Sequence, residues 1–289
     1  MIRIGFIGAG TTGTALAVRL SQKECPVVAV SSQTLSSAEK LAGLVPNCQV
    51  CHTAQELAEA AELVFITTPD DVIAMVCSEV QWHKGQSVVH CSGAHSVDIL
   101  ESARKLGAAV GSFHPLQTFA DVDQAIENLP GSTFALEAEE SLLSTLKELT
   151  LLLNGNWVGL KPGDKVLYHA AAVFACNYLV TLVKLALDLW QDFGVPSKEA
   201  TRALLPLLNG TINNIENIGL PDCLTGPVAR GDSGTIMKHL SAIEARSPAL
   251  LTTYKELGYQ TIPIALAKGK VNEQKAEEMK SLLRLDRSK

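Results

Sequence analysis

From the N-terminus to about residue 160 the chain alternates short β-branched runs with amphipathic stretches of helical length. That alternation predicts βαβ units around a parallel sheet. The expected strands cover residues 2–7, 27–30, 49–51, 63–67, 87–91, 109–113, 133–136 and 157–159, with helical patterns between most of them, as at 12–22, 36–44 and 141–153. At residues 154–165 the run NGNWVGLKPGDK is rich in turn formers, and no strand pattern follows it. A domain boundary is therefore expected at Leu160/Lys161, dividing the chain into 1–160 and 161–289. The second part opens with residues 165–193, apolar nearly all round, which predicts a helix in the centre of a bundle or under a subunit interface. Further helices are expected at 197–215, 233–244, 248–257 and 272–285, with GPVARGDSG (226–234) as a glycine-rich loop. The expected architecture is a doubly wound α/β domain followed by an all-helical domain.

Composition narrows the class. A chain of 289 residues has ample length for a real core, and 30 acids against 24 bases argue against a cationic grip on nucleic acid. The longest nearly unbroken apolar run, 170–183, is interrupted by Asn177, Tyr178 and Thr181 and stopped by Lys184, which reads as too short to cross a bilayer. The start, MIRIGFIGAG, has neither the charged leader nor the cleavage pattern of a secretory signal. Seven cysteines, an odd number without such a signal, predict reduced thiols. The expectation is a cytoplasmic protein without membrane or nucleic-acid partners.

The strand IRIGFI runs into GAGTTG (Gly8, Ala9, Gly10, Thr11, Thr12, Gly13), which opens the helical pattern TTGTALAVRL. Three glycines at this spacing allow a tight turn, a close approach of backbone to a pyrophosphate, and tight helix–strand packing, with the helix N-terminus facing the anion. This strand-turn-helix context predicts a Rossmann-type dinucleotide site. The second strand ends in Ser31, Ser32, Gln33 and Thr34, where an NAD enzyme usually carries an acid. Hydroxyls and free N–H groups can accept a 2′-phosphate that an acid would repel, so NADP is favoured, with NAD possible because the usual arginine is missing. A second cofactor contact is expected at Thr67, Thr68 and Pro69, after the fourth strand. The bland alternative there is a plain helix start with Asp70 as its N-cap.

The segments GFIGAGTTG, HCSGAHS, GSFHPLQTF, YHAAAVFACNYL and GPVARGD resemble, over nearly the whole chain, a bacterial family in which a Rossmann-like domain precedes a helical domain of unknown function. Its members are taken to be oxidoreductases. The layout is also similar to pyrroline-5-carboxylate reductase, ketopantoate reductase and prephenate dehydrogenase, which join a nucleotide domain to a helical, often dimerising one. The resemblance to prephenate dehydrogenases implies a catalytic His114, followed by Pro115, with Ser92 assisting. Ketopantoate reductases carry a catalytic lysine on the first long helix of the second domain and an Asn eight residues later. His169 and Asn177 have that spacing, so His169 stands where the lysine would be.

Hydride transfer to a carbonyl or imine needs a proton donor beside the acceptor and a hydrogen-bond clamp on the substrate. Histidine suits both roles near neutral pH. His114, just after a strand, could instead be a turn histidine. On one helix, His169 and Asn177 would lie within about 80° of one face and about 12 Å apart, either lining a cleft or buried and satisfied. Arg230, in GPVARGD, is the candidate to hold a substrate carboxylate through its two-pronged guanidinium, while Asp232 reads as the cap of the next helix. Gly93 and Thr118 complete the expected substrate contacts. Cys48-Gln49-Val50-Cys51-His52 matches a haem-attachment string but overlaps the third strand, and no second cysteine pair stands at zinc-finger spacing, so no metal is expected.

Two functions follow. The first is an NADP-dependent oxidoreductase acting on a small carboxylate-bearing substrate: a 2-oxo acid, a 3-hydroxy acid or a cyclic imine, with a prephenate- or arogenate-like substrate as a further class. The second is a dinucleotide-binding sensor that has lost the chemistry. The apolar stretch 165–193 predicts a homodimer joined through residues after Lys161.

Overall fold

The computed structural model describes residues 2–285. Two compact units divide the chain, residues 1–177 and 178–289.

All eight expected strands form: β1 (Ile4–Ile7), β2 (Val27–Ser31), β3 (Gln49–Val50), β4 (Leu63–Ile66), β5 (Ser87–His90), β6 (Ala109–Leu116), β7 (Thr133–Ala138) and β8 (Asn156–Gly159). They make one sheet in the order β3-β2-β1-β4-β5-β6-β7-β8. The first six strands are parallel, and the order reverses direction at β1, the switch point where such sheets bind ligands. β7 runs antiparallel to β6, and β8 runs parallel to β7, so the expected all-parallel sheet holds only for the first six strands. The reason is the β6–β7 connection: its helix (Val122–Asn128) does not return the chain to the sheet's amino edge, so β7 must start from the carboxyl edge. β6 also runs three residues further than expected, through His114 and Pro115, because β7 pairs with it there. Pro115 lies beyond the last β5 pairing, on the stretch of β6 that has no β5 neighbour, where a missing N–H is tolerated.

Eight helices accompany this sheet: α1 (Thr11–Gln22), α2 (Leu35–Leu44), α3 (Ala54–Ala60), α4 (Ile73–Glu79), α5 (Glu101–Lys105), α6 (Val122–Asn128), α7 (Glu140–Leu152) and α8 (Asp164–Ala175). Successive strand residues face opposite layers, and both layers are covered, which is why the central strands read as continuous apolar runs. In β4, Leu63 and Phe65 join the core under α1, α2 and α7, while Val64 and Ile66 join the core under α3, α4 and α5. On the first face a ladder of Phe6, Phe65, Phe113 and Phe134 crosses the sheet with ring centroids 4.5–5.7 Å apart. Each ring is fully buried and contributes about 3 kcal/mol or more, judged by the cost of truncating such a side chain.

The second unit holds α9 (Asn177–Gln191), α10 (Ser197–Asn217), α11 (Pro227–Arg230), α12 (Ser233–Arg246), α13 (Leu251–Ala267) and α14 (Glu273–Leu283). Its core is Ile236, Ile262, Ala265, Met279 and Leu283, from α12, α13 and α14. α13 runs ten residues past the expected end at Leu257, through Pro263, with Ile262 and Ala265 packed in that core. The apolar stretch 165–193 is not one unbroken helix: Cys176 leaves the helical pattern between α8 and α9. No residue of α9 is buried, and Val180 is 69% exposed. Taken together, Asp164–Gln191 is long and apolar enough to cross a membrane by length and composition alone, which corrects the reading that this region is too short. Its first half is tied to the sheet unit by Lys165, which is buried against β6.

Candidate functional site

The glycine loop divides its work among three positions. Gly8 has φ +106°, a conformation that L side chains rarely adopt, and a Cβ there would stand 2.8 Å from the Thr67 backbone. A Cβ on Gly13 would meet Thr67 Oγ1 at 2.4 Å and the Gly8 carbonyl at 2.7 Å. Around Gly10 a Cβ would meet nothing within 4 Å, so this is the face left open for a ligand. The same residue is the N-cap of α1, with no side chain capping it and no acid in the first turn. The helix N-terminus therefore keeps free N–H groups and a positive dipole end beside the open face. Thr67 Oγ1 donates to Gly8 O at 2.8 Å and pins the loop to the end of β4.

A cleft of about 560 Å³ runs along this edge, lined by the loop, by Ser31, Ser32, Gln33 and Thr34, and by Thr67, Thr68 and Pro69. His52 and Glu79 also line it. Thr68 Oγ1 is buried without a hydrogen-bond partner among the described residues, a polar atom available to a bound molecule.

Next along the carboxyl edge, Ser92 Oγ donates to Asp70 Oδ2 at 2.7 Å and accepts from the N–H groups of Ala94 and His95, both at 3.2 Å. Its one proton and two lone-pair positions are thus engaged in holding the β5 loop to the β4 loop. Asp70 is not the N-cap that the alternative reading of this segment made it: Pro69 occupies that position, and the carboxylate accepts from Ser92.

Beyond it stand the imidazoles. His114 Nδ1 lies 2.8 Å from the Tyr168 hydroxyl, and the His114 and His169 rings sit 6.2 Å apart, edge to face. Gly93 makes this approach possible, because a Cβ there would be 2.6 Å from His169 Nδ1 and 2.8 Å from His114 Nε2. His169 Nδ1 is buried with no hydrogen-bond partner among the described residues. Burial, then the charge of Lys165, holds His114 down to about pKa 4, so its ring is neutral at pH 7. Tyr168 is pushed up to about 12 by burial and keeps its proton.

Behind the imidazoles a polar row crosses three strands. His90 pairs in register with Ser112, and Ser112 with Glu137, which puts all three on one face. Lys165 enters from α8, 2% exposed, with Nζ donating to Ser112 Oγ. Burial lowers its pKa to about 8, against the opposing pull of Glu137, Cys91 and Asp70. Burial raises Glu137, whose Oε2 has no hydrogen-bond partner among the described residues. His90 falls to about 3, through burial and then Lys165. Its Nδ1 accepts from Ser92 N at 3.1 Å and its Nε2 lies 3.2 Å from Ser96 O, which makes the neutral Nε2–H form the one that satisfies both contacts.

Residues 1–115 match a Rossmann-like domain, and residues 132–261 match a domain of unknown function, DUF2520. The chain joins a Rossmann-like domain to a DUF2520 domain. Among solved structures it is similar to a Thermotoga maritima protein at 25% identity, covering 92% of this chain and 99% of that one, with a TM-score of 0.74. It is also similar, at 25% identity, to a Bacteroides fragilis protein presumed to be an NADP oxidoreductase, with coverage of 91% and 98% and a TM-score of 0.70. A reductive aminase from Aspergillus terreus, solved with NADPH and ethyl-5-oxohexanoate, shares the fold at 15% identity, with 98% of each chain covered and a TM-score of 0.67. Pyrroline carboxylate reductases share the fold as well. No curated protein matches the sequence.

Of the residues singled out in this Rossmann–DUF2520 chain, the structure brings together Ser92, Gly93, His114 and His169, and along the cleft Gly8 to Gly10, Ser31, Ser32 and Thr67 to Pro69. His114 lies inside β6 rather than after it. Thr118 is exposed beyond the end of that strand. Asn177 does not share a helix with His169, because of the break at Cys176. Arg230 is exposed at the end of α11, a helical turn where a plain loop was anticipated, and Asp232 caps α12 by accepting from Thr235 N at 3.0 Å. Lys165, Tyr168, Ser112 and Glu137 were missed. The one signal in the sequence was a lysine one helical turn before His169 at the head of an apolar stretch.

Proposed function

We propose that the chain is an NADP-dependent oxidoreductase that moves a hydride to or from the carbon of a C=O or C=N bond in a small carboxylate-bearing substrate of the 2-oxo acid, 3-hydroxy acid or cyclic imine kind. One observation carries this reading. Along the strands' carboxyl edge Thr67 is hydrogen-bonded to the glycine loop and Asp70, three residues on, to Ser92, whose neighbour Gly93 faces the two imidazoles. The open face at Gly10, the uncapped α1 and the orphaned Thr68 hydroxyl fit a dinucleotide, with the phosphates on α1 and the adenosine toward Ser31 and Ser32. The names of the Bacteroides protein and the fungal aminase support the same choice of cofactor. Bound there, NADPH supplies the hydride.

The chain's own residues handle the proton. Tyr168, protonated up to about pH 12, donates to His114 Nδ1 and leaves the neutral ring with its proton on Nε2, directed at the space beside Gly93. From there Nε2–H can pass its proton to the substrate oxygen or nitrogen, and Tyr168 can replace it through Nδ1. His169 Nδ1, free of other partners, takes the second hydrogen bond to the same atom. Lys165 does not touch the substrate in this scheme; burial first, and then its charge, keep His114 and His90 neutral. Ser92 holds the loop. The chain works in this reading as a homodimer through the uncovered apolar face of residues after Lys161.

The test is a panel of 2-oxo acids, 3-hydroxy acids and cyclic imino acids with NADPH or NADP⁺, followed at the cofactor absorbance. Turnover on at least one class is expected, and His114→Ala should abolish most of it while leaving NADPH bound. Tight NADPH binding with turnover on none would replace the enzyme by a dinucleotide sensor.

A further inference from the structure

We infer that His52 supplies the cationic contact through which the adenosine end of the cleft selects a 2′-phosphate. This rests on the NADP reading above and names the residue that would make the choice.

The backbone brings His52 to the right edge. β3 lies parallel beside β2 with Val30 opposite Val50, and Cys51 N continues the ladder by donating to Val30 O at 2.8 Å. The next residue, His52, therefore emerges at the carboxyl edge beside Ser31 and Ser32, and it lines the same cleft as Ser31, Ser32, Gln33 and Thr34. Its backbone is fixed: its N–H donates to Glu56 Oε2 at 2.9 Å, and Thr53 Oγ1 caps α3 by accepting from Glu56 N at 3.1 Å. Its side chain is exposed, so the ring is not committed to the core.

The charge balance of the cleft then singles this residue out. Among the described residues that line the cleft there is neither lysine nor arginine, and the one carboxylate is Glu79. A phosphate monoester brings about −1.5 to −2 charge near pH 7. Hydroxyls of Ser32 and Thr34 can hydrogen-bond it but offer no compensating charge, and Glu79 opposes it. Among these lining groups the exposed imidazole of His52 is the ring that can turn an N–H donor toward a phosphate. This resolves the puzzle of a second strand that lacks both the acid of an NAD site and the arginine of an NADP site: the cation comes from the end of the third strand instead.

Calorimetry on the full chain tests the inference with NADP⁺, NAD⁺ and adenosine 2′,5′-bisphosphate as probes, so the readout is affinity and not turnover. His52→Gln should weaken NADP⁺ and the bisphosphate by about fivefold, the size of an exposed ion pair, and leave NAD⁺ unchanged. His52→Arg should bind NADP⁺ at least as tightly as the native chain. Equal losses for NADP⁺ and NAD⁺, or no loss for either, would overturn the role of His52. His52→Asn serves as a second neutral replacement should the glutamine variant be unstable. A native chain that binds both dinucleotides equally would remove the NADP reading and this inference with it. A native preference for NADP⁺ that survives in His52→Gln would remove this inference alone.

Discussion

Replacing Gly93 by alanine tests the site at its narrowest point. The added Cβ would stand 2.6 Å from His169 Nδ1 and 2.8 Å from His114 Nε2, where ordinary contact begins at 3.4 Å, so the rings must retreat by about 0.8 and 0.6 Å respectively. Gly93 is not among the residues with positive φ, so the conflict is steric alone. His169 can turn away, because its Nδ1 has no partner to lose. His114 is held by Tyr168 at 2.8 Å and must either break that bond or carry α8 with it. Overpacking of this kind costs about 1–3 kcal/mol of stability. A displacement approaching 1 Å in a group that transfers a proton costs roughly 10- to 100-fold in rate. Gly93→Ala should therefore lower kcat/KM by that factor on whichever substrate the panel identifies, lower the melting temperature by several degrees, and leave the NADPH affinity unchanged, since the glycine loop is untouched. An alanine variant with native activity and native melting temperature would refute the claim that both imidazoles converge on this Cα.

Three further outcomes are expected. Gly10→Ala, with nothing within 4 Å of the new methyl and an ordinary φ of −78°, should fold with native stability yet bind NADPH at least tenfold more weakly, whereas Gly13→Ala, clashing with Thr67 and the Gly8 carbonyl, should lose stability in thermal melts. His90 and His114 are held below the ordinary 6.5, to about 3 and about 4, so the unfolded chain takes up their protons first as pH falls; urea midpoints should drop between pH 6.5 and about 3, and His90→Gln should flatten that slope. Light scattering should give a dimer at micromolar concentration, and Val180→Asp, on the exposed face of α9, should give monomers with native secondary structure by circular dichroism.

Much of the first unit was legible from the residues themselves. Each of the eight strands, and the turn from IRIGFI through GAGTTG into α1, depends on side-chain period and on glycines within a few positions of one another, and local sterics act over that range. The cap on α12 is local in the same sense: Asp232 and Thr235 are three residues apart. The direction of β7 was not legible, since a strand's own residues do not record which edge of the sheet its connection leaves it on.

The polar cluster depended wholly on the tertiary structure. Ser112 and Lys165 are separated by 53 residues, and Asp70 and Ser92 by 22. In the sequence a serine inside a strand or a lysine at the head of a helix reads as an ordinary solvated residue. Sheet register decided otherwise, by aligning His90, Ser112 and Glu137 on one face and laying α8 so that Lys165 is buried against them. The same holds for His52, which in the sequence stood only at the end of a Cys-x-x-Cys-His string set aside as coincidence and acquires a role only because β3 pairs beside β2. Residue types and local period determined which elements exist. Register and layer packing determined which side chains share a low-dielectric space, and that shared space gives these groups their altered proton affinities.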